Sequence, residues 1–375
     1  MQRNIIFHLP YKPDKNKASA SQIRPYKMIE AFKGLGYNVA VIMGHASERK
    51  IQIAHIKREI QKGKAFDFMY SESSTMPTLL TDPHHLPLHP FLDFGFIRLC
   101  KNKGIPVGLF YRDIHWKFEH YELKKYSYKR FISRLFYKLD LTLYKKYIDI
   151  IYLPSLETAK HIPELKGVKI EALPPGTDKF VQPTGRSDDN DKIKFLYVGG
   201  IGELYDLNMF LGAVATLPQE GIQVTVCTRQ SDYSKVSETY NAYFEQNKVK
   251  LVHLQGENLR NLYLDSDICC LFVYPTAYWE FVVPFKLFEY IAYKKPILAV
   301  KGTAVGNFVE KHQIGWSIPY ELEAIEDFLL NLEENFKEQE KSRLLANMEK
   351  VIKFSTWTAR AEFVAKSLLS VKTQL

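Results

Sequence analysis

At 375 residues the chain is long enough for two ordinary domains, each with its own core. Its 46% hydrophobic and 25% charged residues fit a soluble globular protein and exclude a disordered one, and no apolar run approaches the roughly 18 residues that cross a membrane. The formal charge of +9 calls for an anionic partner, whether nucleotide, nucleic acid or anionic lipid.

Residues 1–7 enter a strand directly and lack a long apolar leader, so the chain is expected to remain in the cytoplasm. An apolar strand follows at 5–9. The loop Ala18-Ser19-Ala20-Ser21-Gln22-Ile23-Arg24 then enters a helix at 25–35 that ends at Gly36. Small residues in this loop allow close backbone approach, and Ser19, Ser21 and Arg24 are candidates for binding a phosphate or an acceptor. Ser21 as a plain helix cap is an equal reading. Further strands are expected at 39–43, 66–70 and 107–112. Tyr111-Arg112-Asp113-Ile114-His115-Trp116 leaves the last of these at its carboxyl end, where ligands bind in open α/β sheets.

A basic stretch comes next. Lys117, Lys124, Lys125, Lys129, Arg130, Arg134, Lys138, Lys145 and Lys146 face only Glu119, Glu122 and Asp140, with Tyr121, Tyr126, Tyr128 and Tyr137 interleaved. Residues 131–147 have helical periodicity, with Phe131, Leu135, Leu139 and Leu143 in one apolar stripe. That stripe is expected to face its own sheet. The excess of positive charge is expected to serve an anionic bilayer, reversibly and without an apolar anchor. Nucleic acid is not expected, since no recognised binding motif accompanies the charge.

A strand at 148–153 closes the first series. Gly185-Arg186-Ser187-Asp188-Asp189-Asn190-Asp191-Lys192 is polar, without periodicity, and reads as a linker. The alternation then restarts, with strands at 195–198, 223–227, 250–254, 268–273 and 297–300. Strands alternating with helices predict parallel, doubly wound sheets. Cys100, Cys227, Cys269 and Cys270 show neither CxxC pairing nor zinc spacing with histidine, and read as reduced core residues.

The most informative stretch is Pro284-Phe285-Lys286-Leu287-Phe288-Glu289-Tyr290-Ile291-Ala292-Tyr293-Lys294-Lys295-Pro296. Pro284 suits the first turn of a helix. Lys286 and Glu289, three apart, share a face near the helix N-terminus, where free N–H groups and the dipole attract phosphate. A carboxylate one turn in suits two vicinal hydroxyls, such as those of a ribose. Together these describe a nucleotide pocket; an ordinary i,i+3 ion pair has the same spacing.

This segment resembles the donor-nucleotide signature of glycosyltransferase family 4, whose pattern is Pro-x-Lys-x-x-Glu-Tyr-x-Ala-x-x-Lys-Pro. Leu173-Pro174-Pro175-Gly176-Thr177-Asp178, Phe195-Leu196-Tyr197-Val198-Gly199-Gly200, Tyr263 through Leu271 with Asp265 and Asp267, and Ser355-Thr356-Trp357 resemble further family segments in the expected order. The resemblance covers most of residues 170–360. It implies a GT-B fold of two Rossmann-like domains: an acceptor domain at 1–176, a linker at 177–193, a nucleotide-sugar donor domain at 194–355, and a terminal helix at 356–375 crossing back to the first domain. It implies transfer of a sugar from a nucleotide-sugar donor to a glycan or lipid-linked acceptor in cell-surface polysaccharide synthesis, with retention of configuration and with no cofactor or metal. It makes Glu289, Lys286, Pro284, Gly199 and Gly200 donor residues. It also implies that His115, with Asp113 as second choice, lies near the transferred sugar; a loop histidine packed beside Trp116 is the plainer reading.

Two departures stand out. The family's diphosphate-binding arginine and lysine fall at Gly200 and Tyr205, so the positive charge is expected from Lys286 or from Arg229, unless Arg229 is simply a solvated loop residue. The first acid of the family's Glu-x7-Glu motif falls at Phe281, with Glu280 one residue early. Tyr274, Tyr278 and Trp279 are expected to shape the pocket for base or sugar. A nucleotide-sugar epimerase on the same fold, and a non-catalytic partner subunit suggested by Gly200 and Tyr205, are the rival readings.

Overall fold

The computed structural model describes residues 3–14, 19–118, 128–178, 192–217 and 221–372. The chain forms two compact units, Met1–Pro175 with Trp357–Leu375, and Gly176–Thr356. Much of the expected linker lies outside the described residues.

The first unit contains β1 (Asn4–His8), β2 (Asn38–Ile42), β3 (Phe68–Glu72), β4 (Val107–Phe110), β5 (Ile150–Leu153) and β6 (Lys169–Ala172). They form one parallel sheet in the order β2-β1-β3-β4-β5-β6. The inner strands are buried throughout and mostly apolar, as strands covered on both faces are, with Asn4, His8, Ser71 and Glu72 as buried polar residues at the ends of β1 and β3. The terminal helix Trp357–Lys372 covers one face of this sheet. A Cβ on Gly108 of β4 would lie 2.7 Å from the Tyr152 ring and 3.0 Å from Leu368, so only glycine admits this helix. The Tyr152 hydroxyl also meets Ser367 Oγ at 2.5 Å.

The second unit contains β7 (Ile193–Val198), β8 (Ile222–Cys227), β9 (Val249–Val252), β10 (Ile268–Leu271), β11 (Ile297–Val300) and β12 (Gly315–Ile318). Its parallel sheet runs β12-β11-β10-β7-β8-β9. Lys194 fixes the start of β7: its N–H donates to Asp267 Oδ2 at 2.9 Å and its ammonium to Asp265 Oδ1 at 2.6 Å. The two aspartates of the family-like segment thus pin the strands together. The cysteines are free and buried. The expectation omitted β6 and β12. Both are edge strands without fully buried residues, so they lack the apolar run that marks the inner strands.

The helix Tyr128–Tyr147 corrects the expected packing. Its buried face is Ser133, Tyr137, Asp140, Leu141 and Tyr144, while Phe131, Leu135 and Leu139 are exposed. Hydrogen bonds make the polar face the inner one. The Tyr137 hydroxyl donates to Thr75 O at 2.6 Å, the Tyr144 hydroxyl meets Thr78 Oγ1 at 2.8 Å, and Asp140 Oδ2 accepts from Thr78 N at 2.8 Å and Thr78 Oγ1 at 3.0 Å. Trp116 stacks on Tyr137 with ring centroids 4.7 Å apart. The expectation that the apolar stripe faces the sheet is thereby corrected: the stripe is the outer face of the helix. Of the basic stretch, residues 119–127 lie outside the described residues.

Asp140 gives this helix a pH dependence. Burial pushes its carboxyl from 3.8 up to about 7, against the lowering effect of the Thr78 and Tyr144 hydrogen bonds. Between those values the folded chain keeps a proton that the unfolded chain has released. Stability is therefore greatest below the unfolded value, falls as pH rises through about 7, and stays reduced above it. Asp140→Asn keeps an acceptor for Thr78 and cannot ionise. Thermal unfolding from pH 5 to 8 should show a flatter profile for this variant and a midpoint higher at pH 8 by ~2–4 °C for each kcal/mol recovered. Parallel profiles for the two proteins would show that Asp140 is ionised in the fold at no cost.

Candidate active site

Strand order in the second unit reverses between β7 and β10, with β8 and β9 to one side and β11 and β12 to the other. In open α/β sheets, ligands bind beyond the carboxyl ends of the strands at such a point. Gly199 and Gly200 leave β7, Arg229 leaves β8 and Tyr274 leaves β10 at this edge. The helix Phe285–Ala292 starts from the same edge before the chain returns to β11. The sheet thus brings the expected donor residues Gly199, Gly200, Arg229, Tyr274, Pro284, Lys286 and Glu289 to one edge.

Pro284 is the N-cap of that helix (φ −74°, ψ 154°), one residue ahead of the expected first helical position. It has no side-chain acceptor with which to cap the first turn, so the helix N-terminus keeps its appetite for an external anion. Lys286 and Glu289 meet one turn in, with Nζ 2.5 Å from Oε2. Tyr263 completes the cluster: its hydroxyl donates to the same Oε2 at 2.6 Å, and Lys286 Nζ lies 3.1 Å from the Tyr263 oxygen. Burial first, and then the Glu289 carboxylate, push the Tyr263 phenol far up, so it remains a donor. Both contacts end on Oε2. Oε1 of this half-buried carboxylate accepts nothing from the described residues. Tyr263 carried no assigned role in the sequence reading, although the family-like segment began with it.

The rest of the motif holds the helix in place. The Tyr290 hydroxyl is buried and accepts from the Val198 N–H at 3.0 Å, tying the helix to the end of β7. Lys295 donates to Leu264 O at 3.2 Å and Ser266 O at 2.6 Å, closing the end of the helix Leu259–Asp265. Of adjacent motif residues, then, Glu289 faces the site while Tyr290 and Lys295 serve the scaffold.

The glycine turn explains the missing diphosphate charges. The Tyr197 hydroxyl donates to Gly200 O at 2.7 Å. A Cβ on Gly199 would lie 2.6 Å from that hydroxyl, and a Cβ on Gly200 would lie 2.9 Å from the Tyr205 ring. Tyr205 in turn packs edge-on against Trp279, with centroids 5.5 Å apart. Gly200 and Tyr205 are therefore one departure: the ring fills the space that a side chain at Gly200 would need. Trp279 is buried and donates to Leu204 O at 3.0 Å, so it is core and not the expected pocket wall. Phe281 is also buried and Glu280 exposed, leaving no acid at the first position of the family's paired-glutamate motif. Tyr274 is exposed at the site edge, its ring edge-on to Tyr320 at 5.5 Å. Arg229 is 65% exposed and pairs with Asp232 at 3.2 Å.

In the first unit the strand order reverses between β1 and β3. Ser19, not Ser21, is the N-cap residue of the helix Ala20–Gly34, and it makes no side-chain cap bond; its Oγ meets Ser21 Oγ at 3.1 Å. Pro25 lies inside this helix and cannot donate to the Ser21 carbonyl. The Tyr11 hydroxyl supplies the missing donor at 2.5 Å. Arg24 is fully buried, which corrects its expected place in an open phosphate loop. Its Nε donates to Glu72 Oε1 at 3.2 Å and its guanidinium lies 3.6 Å from the Phe110 ring centroid. Glu72 Oε2 accepts from Arg112 Nη2 at 2.9 Å, and Arg112 also donates to Tyr11 at 3.2 Å. One buried carboxylate thus joins two arginines and the β1 loop.

His115 and Asp113 leave the end of β4 as expected. His115 Nδ1 lies 3.6 Å from Asp113 Oδ2, the His115 N–H donates to Asp113 Oδ1 at 3.0 Å, and both side chains are partly exposed. The ring stands edge-on to Tyr137 at 6.2 Å. The sequence reading missed His8, which is buried at the end of β1. Its Nδ1 meets Ser71 Oγ at 2.8 Å, and its Nε2 meets Asp93 Oδ1 at 2.9 Å. Burial alone would raise the Asp93 carboxyl, but His8 and Arg49 outweigh it and hold it below its ordinary value. Among the described residues, no group of three or more histidine, cysteine, aspartate and glutamate side chains is placed to hold a metal ion.

Residues 181–350 match the family described as glycosyl transferases group 1. No curated protein matches the chain. Among solved structures, a glycosyltransferase from Rickettsia africae ESF-5 is 13% identical with a TM-score of 0.67, over 99% of each chain. HepE from Anabaena, solved in complex with UDP-glucose, is 13% identical with a TM-score of 0.63, covering 98% of this chain and 99% of its own. WaaG, a glycosyltransferase involved in lipopolysaccharide biosynthesis, is 13% identical with a TM-score of 0.61, covering 97% of this chain and 99% of its own. The likeness to group 1 glycosyl transferases thus covers residues 181–350, a little under half of the chain, and the chain as a whole has the GT-B fold of these solved glycosyltransferases.

Proposed function

We propose that the chain transfers a sugar, with retention of configuration, from a nucleotide-sugar donor to a glycan or lipid-linked acceptor in cell-surface polysaccharide synthesis, at the inner face of a membrane. The cluster of Lys286, Glu289 and Tyr263 at the N-terminus of the helix Phe285–Ala292 carries this reading. A carboxylate with one open oxygen suits ribose, and an ammonium beside a helix N-terminus suits diphosphate. The family-4-like segment around it agrees, and so do the UDP-glucose bound by HepE and the lipopolysaccharide role of WaaG. Lys286, Arg229 and the helix N-terminus can supply the positive charge a departing diphosphate needs, so the reading requires neither metal nor cofactor. His115 and Asp113 remain the candidates nearest the transferred sugar.

The test screens nucleoside diphosphates and nucleotide sugars for binding, then follows nucleoside diphosphate release with and without glycan and lipid-linked acceptors. Acceptor-dependent release is the expected result. Conversion of the nucleotide sugar to its epimer without acceptor and without net nucleoside diphosphate release supports the epimerase reading. Binding without turnover supports the partner-subunit reading, which the packing of Tyr205 against Gly200 favours.

A further inference from the structure

The exposed face of the helix Tyr128–Tyr147 is unusual for a helix packed on its own domain. Phe131 is 72% exposed and Leu135 58%, and Tyr128, Ile132 and Leu139 are exposed beside them. At 100° per residue these five side chains fall on one side of the helix, opposite the buried Tyr137 and Tyr144. Lys138 and Lys145 flank the stripe on one side, Lys129 on the other, and Lys146 stands at its end; all four are exposed. The only acid in the helix, Asp140, is on the buried face. An apolar stripe bordered by cations alone is the arrangement of helices that lie in the plane of an anionic membrane interface. No helix among the described residues is long and apolar enough to cross a membrane.

We propose that this face of the helix docks the chain on an anionic lipid bilayer, with Phe131 and Leu135 entering the boundary between headgroups and acyl chains and the flanking lysines meeting lipid phosphates. The proposal rests on the lipid-linked acceptor reading for its purpose, and the docking is measured independently of it. The apolar stripe predicts binding that weakens with salt but is not abolished, unlike attachment through lysines alone.

The experiment is co-sedimentation with vesicles of phosphatidylcholine alone and of phosphatidylcholine with phosphatidylglycerol, over a salt series, with nucleotide affinity measured alongside by calorimetry. The native chain should prefer the anionic vesicles by at least tenfold at low salt and keep a measurable fraction bound at high salt. Phe131→Ser with Leu135→Ser should remove the salt-resistant fraction. Lys129→Gln, Lys138→Gln, Lys145→Gln and Lys146→Gln together should lower the anionic preference by about fivefold for each lysine that reaches the surface. All these positions are exposed, so both variants should keep the native circular dichroism and nucleotide affinity. No binding to anionic vesicles at low salt, equal binding to both lipids, or binding unchanged in both variants would overturn the proposal. So would sedimentation velocity showing that the stripe pairs two copies of the chain. Vesicle binding without nucleotide binding defeats the donor reading and leaves the docking intact; the converse defeats the docking alone.

Discussion

Replacing Lys286 with methionine should lower sugar transfer by about 10²–10³-fold, the usual effect of removing one preorganised charge from a leaving group. Two groups could hold the donor diphosphate, since glycine and tyrosine occupy the family's arginine and lysine positions. Arg229 is largely exposed and already paired with Asp232, so water and that carboxylate weaken its field. Lys286 is less exposed and stands at a helix N-terminus whose dipole adds to its charge. A diphosphate would draw its ammonium away from Glu289 Oε2. Methionine keeps the aliphatic stem against Tyr263, so a folded variant isolates the charge. Charge on the leaving group grows toward the transition state, so turnover should fall more than donor affinity. Arg229→Ala alone should have the smaller effect. If Lys286→Ala combined with Arg229→Ala leaves turnover intact, the diphosphate is held by other groups.

The sequence revealed the parts of the fold whose chemistry is local. Inner strands buried on both faces read as apolar runs, and restarting the alternation after residue 192 separated two sheets. Of the four edge strands, β6 and β12 were lost because they have no fully buried residue to give that signal, whereas β2 and β9 each keep one. The helix Tyr128–Tyr147 was inverted because its inner face is held by hydroxyl and carboxyl groups, whose partners Thr75 and Thr78 lie more than sixty residues away in sequence. No periodicity rule sees partners at that distance.

The candidate site was legible in outline for the same reason. Lys286 and Glu289 are three residues apart, and their meeting follows from helix geometry. Tyr263, which shares their hydrogen bonds, comes from a different helix and could be placed only by folding the sheet. Arg24 shows the opposite failure. Its position after β1 suggested an open loop, yet a carboxylate on β3, Glu72, takes it into the core. Gly200 and Tyr205 looked like two separate losses of charge, whereas the packing of the Tyr205 ring over Gly200 makes them one structural exchange.

Replacing Glu289 with alanine should weaken nucleotide binding by about 5- to 150-fold, corresponding to ~1–3 kcal/mol for hydroxyls left without their acceptor. The carboxylate lies one turn inside the helix with Oε1 open, which leaves one oxygen for a ribose hydroxyl while Oε2 is held by Tyr263 and Lys286. Alanine also strands the buried Tyr263 hydroxyl, so it should lower the thermal midpoint of the second unit without abolishing folding. Glutamine separates the two effects. Its amide oxygen can still accept from Tyr263 and preserve stability, but its amide group cannot accept from a second hydroxyl and it no longer balances Lys286. Glu289→Gln should therefore keep most of the native stability and lose most of the same binding energy. Calorimetry with the nucleoside diphosphate, set beside thermal unfolding of both variants, distinguishes the outcomes. Native affinity in both variants, whatever their stability, would place Glu289 among the residues that hold the helix rather than the donor.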